Sequence, residues 1–248
     1  MSRCKFLLTL LAVGLSFSTV SAQEPAPKKI PAWGLWVDPD ADCQFKVVKG
    51  QLTVSVPGWT HDLSAERVKM NAPRVVQDIT ADHAIQATIS GKFEPGDASE
   101  PNRAPYMSAG LLVFQDNRNY VRLERCATVN PKTHQVTHTI VFEVRANGAV
   151  QRVGSANDLR VEPNAPVILR LERHNNRIFG FTSKDGMDWQ ELGEKSLGKE
   201  AKMTAGLTVI NLTSASLDAK FAELVVEELD PLPVVEPEEE EDPKKKVK

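Results

Sequence analysis

Apolar and polar residues alternate along most of the chain between Trp33 and Leu229. Leu52, Val54 and Val56 are separated by Thr53 and Ser55, and Ile85, Ala87 and Ile89 by Gln86 and Thr88. A period of two turns one face of a strand toward a core and the other toward water. The same pattern predicts strands over residues 110–115, 120–126, 137–145, 150–153, 167–172, 178–183, 206–212 and 221–228, and no stretch has helix-length periodicity. Asp116-Asn117-Arg118-Asn119 and Ala146-Asn147-Gly148 lie between such runs and suit tight hairpins, because Asn and Gly tolerate positive φ. Ten or more short strands at hairpin spacing predict an all-β fold, an antiparallel two-sheet β-sandwich of the jelly-roll kind. Two segments break the pattern. Residues 62–70 can hold a helical turn, and residues 93–105, rich in Pro, Gly, Asp, Ser and Asn, read as an irregular loop.

The ends differ from this body. Residues 1–22 combine an early basic pair (Arg3, Lys5), an apolar run from Phe6 to Phe17 and the small residues Ser21 and Ala22. That is the layout of a secretory signal peptide cleaved after Ala22, and the run is shorter than the ~20 residues that span a bilayer. Residues 23–32 read as a linker, residues 33–229 as one domain, and residues 230–248 as a disordered charged tail with four prolines, an acidic block and four lysines. Such a tail is either a solvated end or a tether to an oppositely charged envelope component. The mature chain is therefore expected to be secreted or periplasmic, with no transmembrane segment.

The 248 residues carry 30 Lys and Arg against 33 Asp and Glu, a formal charge of -3 that becomes -5 once the leader and its two bases are removed. No basic excess remains to neutralise phosphates, so a nucleic-acid partner is not expected. Cys4 leaves with the leader. Cys43 and Cys126 remain, a pair that an oxidising compartment could join or that could stay as two core thiols.

Several strings resemble, in order along about 190 residues, the DUF1349 family of concanavalin A-like proteins, which includes regulation of enolase protein 1. They are Asp38-Pro39-Asp40-Ala41-Asp42-Cys43-Gln44-Phe45, His61-Asp62-Leu63-Ser64, Asn71-Ala72-Pro73-Arg74-Val75, Gly110-Leu111-Leu112-Val113-Phe114-Gln115-Asp116, Asn119-Tyr120-Val121-Arg122-Leu123-Glu124-Arg125, and Ser183-Lys184-Asp185-Gly186 ahead of Trp189. The resemblance implies a jelly roll of the lectin and glucanase type. It implies no single activity, since that fold hosts lectins, hydrolases and interaction modules. The enolase link belongs to an intracellular member and does not transfer to a chain with a leader.

Candidate chemistry comes from two places. Tyr120, Arg122 and Glu124 share one face of a strand whose other face is Val121 and Leu123, so the polar triplet lies on the outside of its sheet. On a concave face, a ring with Arg and Glu could bind a sugar; on a flat one they make a solvated ion pair. Trp59, His61, Asp62, Glu66, Asn71 and Arg74 fall in one long connection, the usual material of a binding loop. Tyr120, Arg122, Glu124, Trp59, His61 and Arg74 are the candidate ligand-binding residues. For hydrolysis the candidates are Glu124 or the pair Asp62 and Glu66. The paired acidic string of laminarinase-like members is absent, as are a nucleophile elbow, a phosphate loop and a Cys-x-x-Cys motif.

Asp38, Asp40 and Asp42 open like a calcium loop, yet Cys43 stands where glycine is needed and Lys49 where the closing glutamate belongs. An EF-hand is excluded; the triplet is either a looser calcium site or an Asp-Pro turn. No other cofactor is indicated. His134 and His138 are four apart in strand context, too far to share one ion. Residues 183–189 resemble an Asp-box turn with a structural role, and Asn211-Leu212-Thr213 is a glycosylation sequon. The leading expectation is a secreted, non-catalytic module for carbohydrate or an envelope component. A glycan-processing enzyme and a structural protein-interaction domain are the alternatives.

Overall fold

The computed structural model describes residues 28–79, 82–154, 159–197 and 202–230. Among the described residues, seventeen strands and one 3-10 turn form two large antiparallel sheets and a small flap. The eight-stranded sheet runs in the order β1 (Lys28–Ile30), β2 (Gly34–Val37), β7 (Arg74–Ile79), β16 (Met203–Asn211), β9 (Tyr106–Asp116), β10 (Asn119–Val129), β11 (Val136–Ala146), β12 (Ala149–Arg152). The seven-stranded sheet runs β15 (Trp189–Ser196), β14 (Arg177–Ser183), β13 (Val167–His174), β8 (His83–Gly91), β17 (Leu217–Glu228), β4 (Gln51–Val56), β3 (Gln44–Val48). This is an antiparallel two-sheet jelly roll, as the alternation predicts.

The core lies between the sheets. Leu52, Val54, Ile85, Ile89 and Leu169 face Leu111, Val113, Val121, Leu123 and Phe142, and all are buried in one continuous cluster. At about 25 cal/mol per Å² of apolar surface removed from water, this cluster is the main force holding the sheets together. Arg125 is the exception on the inward side of β10. Its guanidinium lies 4.7 Å from the Phe93 ring centre and donates to the carbonyls of Glu162, Pro163 and Ala165, so its buried charge is solvated by backbone.

Turn chemistry sets the register near the site. Asn147 and Gly148 both have positive φ (53° and 84°), the pairing a tight two-residue hairpin requires between β11 and β12. At the β9–β10 turn, Asp116 Oδ1 accepts from the backbone N–H groups of Arg118 and Asn119. The Asp-box segment is the turn expected of it. Asp185 Oδ1 accepts from the N–H groups of Met187 and Asp188, and Gly186 has φ 79°.

Some expectations need correction. Lys28–Ile30 forms edge strand β1 with Ile30 buried, so the stretch read as a linker over residues 23–32 is structured from residue 28. Strands β2, β3, β7 and β15 were not predicted. In β15 only Leu192 is buried, and in β7 Val75 and Val76 are adjacent and buried on opposite faces, so neither shows a clean alternation. The helical turn expected in residues 62–70 is η1 (Ala65–Arg67), flanked by β5 (Leu63–Ser64) and β6 (Lys69–Met70). Asn211 is fully buried and its Nδ2 donates to the carbonyls of Pro57 and Ala215, so the sequon is closed to a glycan in the fold. Cys43 and Cys126 are free, buried thiols. The leader and residues 231–248 of the tail lie outside the described residues.

Candidate functional site

The outer face of the eight-stranded sheet is covered over part of its area. The connection carrying β5, η1 and β6 folds across it, and Leu63, Ala72, Val76, Leu112, Tyr120, Ile210 and Leu212 form a second apolar cluster beneath. The loop of residues 92–105 closes a second side. It is pinned to Thr213 by a bridge at Ala98, to Leu212 by the Ser99 N–H, and to the flap by Arg103 Nη2 donating to Asp62 Oδ2 at 2.7 Å. Between flap, loop and strands β10 to β12 lies a recess of about 300 Å³, lined by polar groups that include Asp62, Arg103, Tyr106, Arg122, Glu143 and Arg145. That is the small end of ligand-sized cavities, ~300–1,000 Å³.

The register of β10 against β11 builds its floor. Tyr120 pairs with Arg145, Arg122 with Glu143 and Glu124 with Val141, and residues two apart share a face. Arg122 Nη2 donates to Glu143 Oε1 at 2.6 Å, and Arg145 donates to the same oxygen from Nη2 at 3.0 Å and Nε at 3.1 Å. Arg145 Nη1 also pairs with Glu66 of the flap. Glu124 lies under this layer, fully buried, with the Tyr106 hydroxyl donating to its Oε2 at 3.3 Å and Arg122 Nη1 at 3.7 Å from the same oxygen. Gly110 stands opposite Glu124, where a Cβ would meet the Leu123 carbonyl oxygen at 2.1 Å; only glycine lets β9 approach here.

These surroundings split the two glutamates. Burial raises the pKa of Glu124, with Glu143 adding to the rise and Arg122 opposing it. Burial also pushes Glu143 upward, but Arg122 and Arg145 outweigh it and hold Glu143 below its ordinary value. Burial raises the Tyr106 phenol well above its usual range, so it is a hydroxyl donor at neutral pH. Arg122 lines the recess, while its Nε is buried and has no hydrogen-bond acceptor among the described residues. A buried guanidinium N–H without a partner is costly.

The structure sorts the residues proposed from sequence. Arg122, Asp62 and Glu66 line the recess, and Glu124 supports its floor without reaching the surface. Tyr120 is not a ligand platform: it is fully buried in the apolar cluster and its hydroxyl donates to the Leu63 carbonyl at 2.9 Å, anchoring the flap. Arg74 is not in the recess either; it lies on β7 with its guanidinium 5.0 Å from the Phe114 ring centre. Trp59 and His61 sit at another place, around Asp42. Trp59 Nε1 donates to Asp42 Oδ2 at 2.9 Å, and His61 Nε2 lies 2.9 Å from Asp42 Oδ1. As an acid–base pair Asp62 and Glu66 are spent, since each ends on an arginine.

The calcium reading of Asp38, Asp40 and Asp42 does not fit the donor set. Asp38 Oδ2 accepts from the Cys43 N–H, Asp40 Oδ2 from Asn71 Nδ2, and Asp42 from Trp59, so the three carboxylates serve three separate bonds. Calcium needs six to eight converging oxygens. Among the described residues, the group whose ligand atoms converge is Asp42, Cys43 and His61.

Tyr106, Arg103, Glu143, Arg145 and Arg152 of the recess were not singled out from sequence. Glu143 and Arg145 lay within a predicted strand at alternate positions, and their pairing opposite Arg122 was the missing fact. A larger cleft of about 530 Å³ lies beside residues 159–167 and the β14–β15 hairpin. The charged side chains along it, among them Arg160, Glu162, Lys184 and Asp185, are exposed to water.

The sequence matches no family model and no curated protein. The fold superposes on a functionally unknown protein from Saccharomyces cerevisiae with a TM-score of 0.60 and 13% identity, over 81% of this chain and 97% of that one. It also superposes on a GH43 protein from Bacillus licheniformis (TM-score 0.55, 16% identity, 78% of this chain). A third likeness is to a xylan beta-1,4-xylosidase from Bacillus halodurans (TM-score 0.50, 13% identity, 84% of this chain). The chain spans 37% and 41% of those two proteins. At these identities the likeness establishes the two-sheet sandwich that the chain shares with modules of glycoside hydrolases, and nothing finer.

Proposed function

We propose that the chain is a secreted, non-catalytic carbohydrate-binding module related to the DUF1349 proteins, holding a sugar in the recess over β10 and β11. The observation that carries this reading is the recess wall itself: buried, alternating guanidinium and carboxylate groups. A sugar hydroxyl both donates and accepts, so a ring of hydroxyls can answer both kinds of group at once. The occurrence of the same fold within longer chains named as GH43 proteins supports the choice of carbohydrate. The signal-like residues 1–22 support export, and an exported chain beginning at Gln23 is the expected product.

Hydrolysis is the weaker reading. Glycosidases need two carboxyl groups flanking the bond. Here Glu124 is covered by Tyr106 and Arg122, and Glu143 is occupied by three guanidinium N–H groups.

A glycan array probed with the full chain and with Arg152→Ala and Tyr106→Phe tests the proposal; xylan-derived and uronate-bearing oligosaccharides belong on it. Arg152 is exposed at the rim and Tyr106→Phe keeps the ring, so both variants should fold. Binding that weakens in both supports the recess. A blank array, or binding indifferent to both changes, overturns it. Turnover of any bound glycan that disappears in Glu124→Gln overturns the non-catalytic part alone.

A further inference from the structure

Away from the residues that line the recess, three side chains from two connections meet. Asp42 Oδ1, Cys43 Sγ and a ring nitrogen of His61 all lie within 4.8 Å of one another. Asp42 Oδ1 is 2.9 Å from His61 Nε2 and 3.5 Å from Cys43 Sγ. With metal–ligand bonds of ~2.0–2.3 Å, the edges of a tetrahedral zinc site are about 3.3–3.8 Å; the two edges at Asp42 Oδ1 lie within about 0.5 Å of that range, and the third, from Cys43 Sγ to the ring nitrogen, has to close by at most about 1.5 Å.

The hydrogen-bond accounting of His61 points the same way. Its Nδ1 faces the Trp59 carbonyl at 3.2 Å and its Nε2 faces the Asp42 carboxylate at 2.9 Å. A neutral imidazole has one N–H, so in either tautomer one nitrogen confronts an acceptor with a lone pair. A positive centre between Nε2 and Oδ1 resolves the conflict. His61 is fully buried, and His61 N–H and C=O bond Asn211 across a bridge, so the ring cannot swing away cheaply.

The outer contacts are those of a metal site. A histidine ligand commonly gives its second nitrogen to a carbonyl, as Nδ1 is placed to do here, and a ligating carboxylate is itself hydrogen-bonded, as Asp42 Oδ2 is by Trp59. A donor set of one nitrogen, one sulfur and one oxygen suits zinc-class ions and not calcium.

We propose that Asp42, Cys43 and His61 form a site for one divalent transition-metal ion of the zinc class, with a fourth position open to solvent beside Trp59. Asp42 is partly exposed and Trp59 is 57% exposed, which leaves a path for the ion and for a water ligand. Binding converts the Cys43 thiol to a thiolate and releases its proton to solvent. The ion joins the β2–β3 loop to the connection that carries Asp62, so it also steadies one wall of the recess.

Cobalt(II) titrated into the full chain reads the site directly. One equivalent should give tetrahedral ligand-field bands and a thiolate-to-metal charge-transfer band, both bleached by zinc. Cys43→Ala should lose the charge-transfer band, while Cys4→Ala and Cys126→Ala keep it. Trp59→Ala should weaken binding about tenfold by releasing the carboxylate. Zinc should also raise the melting temperature of the wild type and not of Cys43→Ala. If Cys43→Ala does not fold, the wild-type spectrum still decides. A chain that shows no charge-transfer band, or a band that persists without Cys43, overturns the site.

Discussion

On the outer face of the seven-stranded sheet, Arg170 bonds Glu172 at 2.6 Å and Glu227 at 3.1 Å, with side chains 18%, 24% and 49% exposed. On the outer face of the eight-stranded sheet, Arg122 bonds Glu143 at the same 2.6 Å, with exposures of 6% and 7%. The residue types and the contact distance match, although Arg170 and Glu172 lie along one strand and Arg122 and Glu143 face each other across two. What differs is the cover. The flap anchored by Tyr120 and the loop anchored by Arg103 take water away from one face and leave the other open. A solvated pair contributes little to stability, whereas a buried pair is costly to break because the survivor is left charged and unpaired. The covered face is therefore where a ligand can be bound with force.

The largest expected effect breaks the buried layer. Arg122→Met takes the counter-charge from buried Glu124 and one of the two from Glu143, which Arg145 still holds, and should cost about 3 kcal/mol in urea unfolding. Arg170→Met, its counterpart on the open face, should change stability by no more than about 1 kcal/mol. Equal losses from the two would erase the distinction between the faces.

The pH dependence sharpens it further. Burial holds Glu124 above its ordinary 4.5, so the stability this group contributes is complete below 4.5 and falls as pH rises through its higher folded value. Arg122 and Arg145 hold Glu143 below 4.5, so its contribution is present above 4.5 and is lost as pH falls through its lower folded value. Unfolding measured at stepped pH should lose the first slope in Glu124→Gln and the second in Glu143→Gln. Profiles parallel to that of the wild type would contradict these assignments.

The smallest effect concerns the cover. Tyr120→Phe removes one buried hydrogen bond to Leu63 and should lower stability by about 1 kcal/mol while loosening the flap. Faster amide exchange confined to β5, η1 and β6 would confirm the anchor; unchanged exchange there would mean that the apolar cluster alone holds the flap.

Much of this was legible in the sequence, and the rest was hidden for definite reasons. Alternation in Val121 and Leu123 assigned the face of Arg122 and Glu124 correctly, because side-chain direction in a strand follows from local geometry. It could not say that Tyr120, two residues away on that face, is sealed under a flap, since cover comes from a connection some sixty residues earlier. Glu143 and Arg145 carried no signal of their own; their role follows from the register of β11 against β10. Asp38, Asp40 and Asp42 looked alike at regular spacing. In the fold each turns to a different donor, and only Asp42 meets Cys43 and His61.

The most direct test of the central claim is a crystal structure of the chain with the glycan that binds best on the array. The account predicts a sugar ring in the recess, with its oxygens against Arg122, Tyr106 and Asp62. A sugar seated on Trp59, or on the open face around Arg170, with the recess filled only by water, would contradict it.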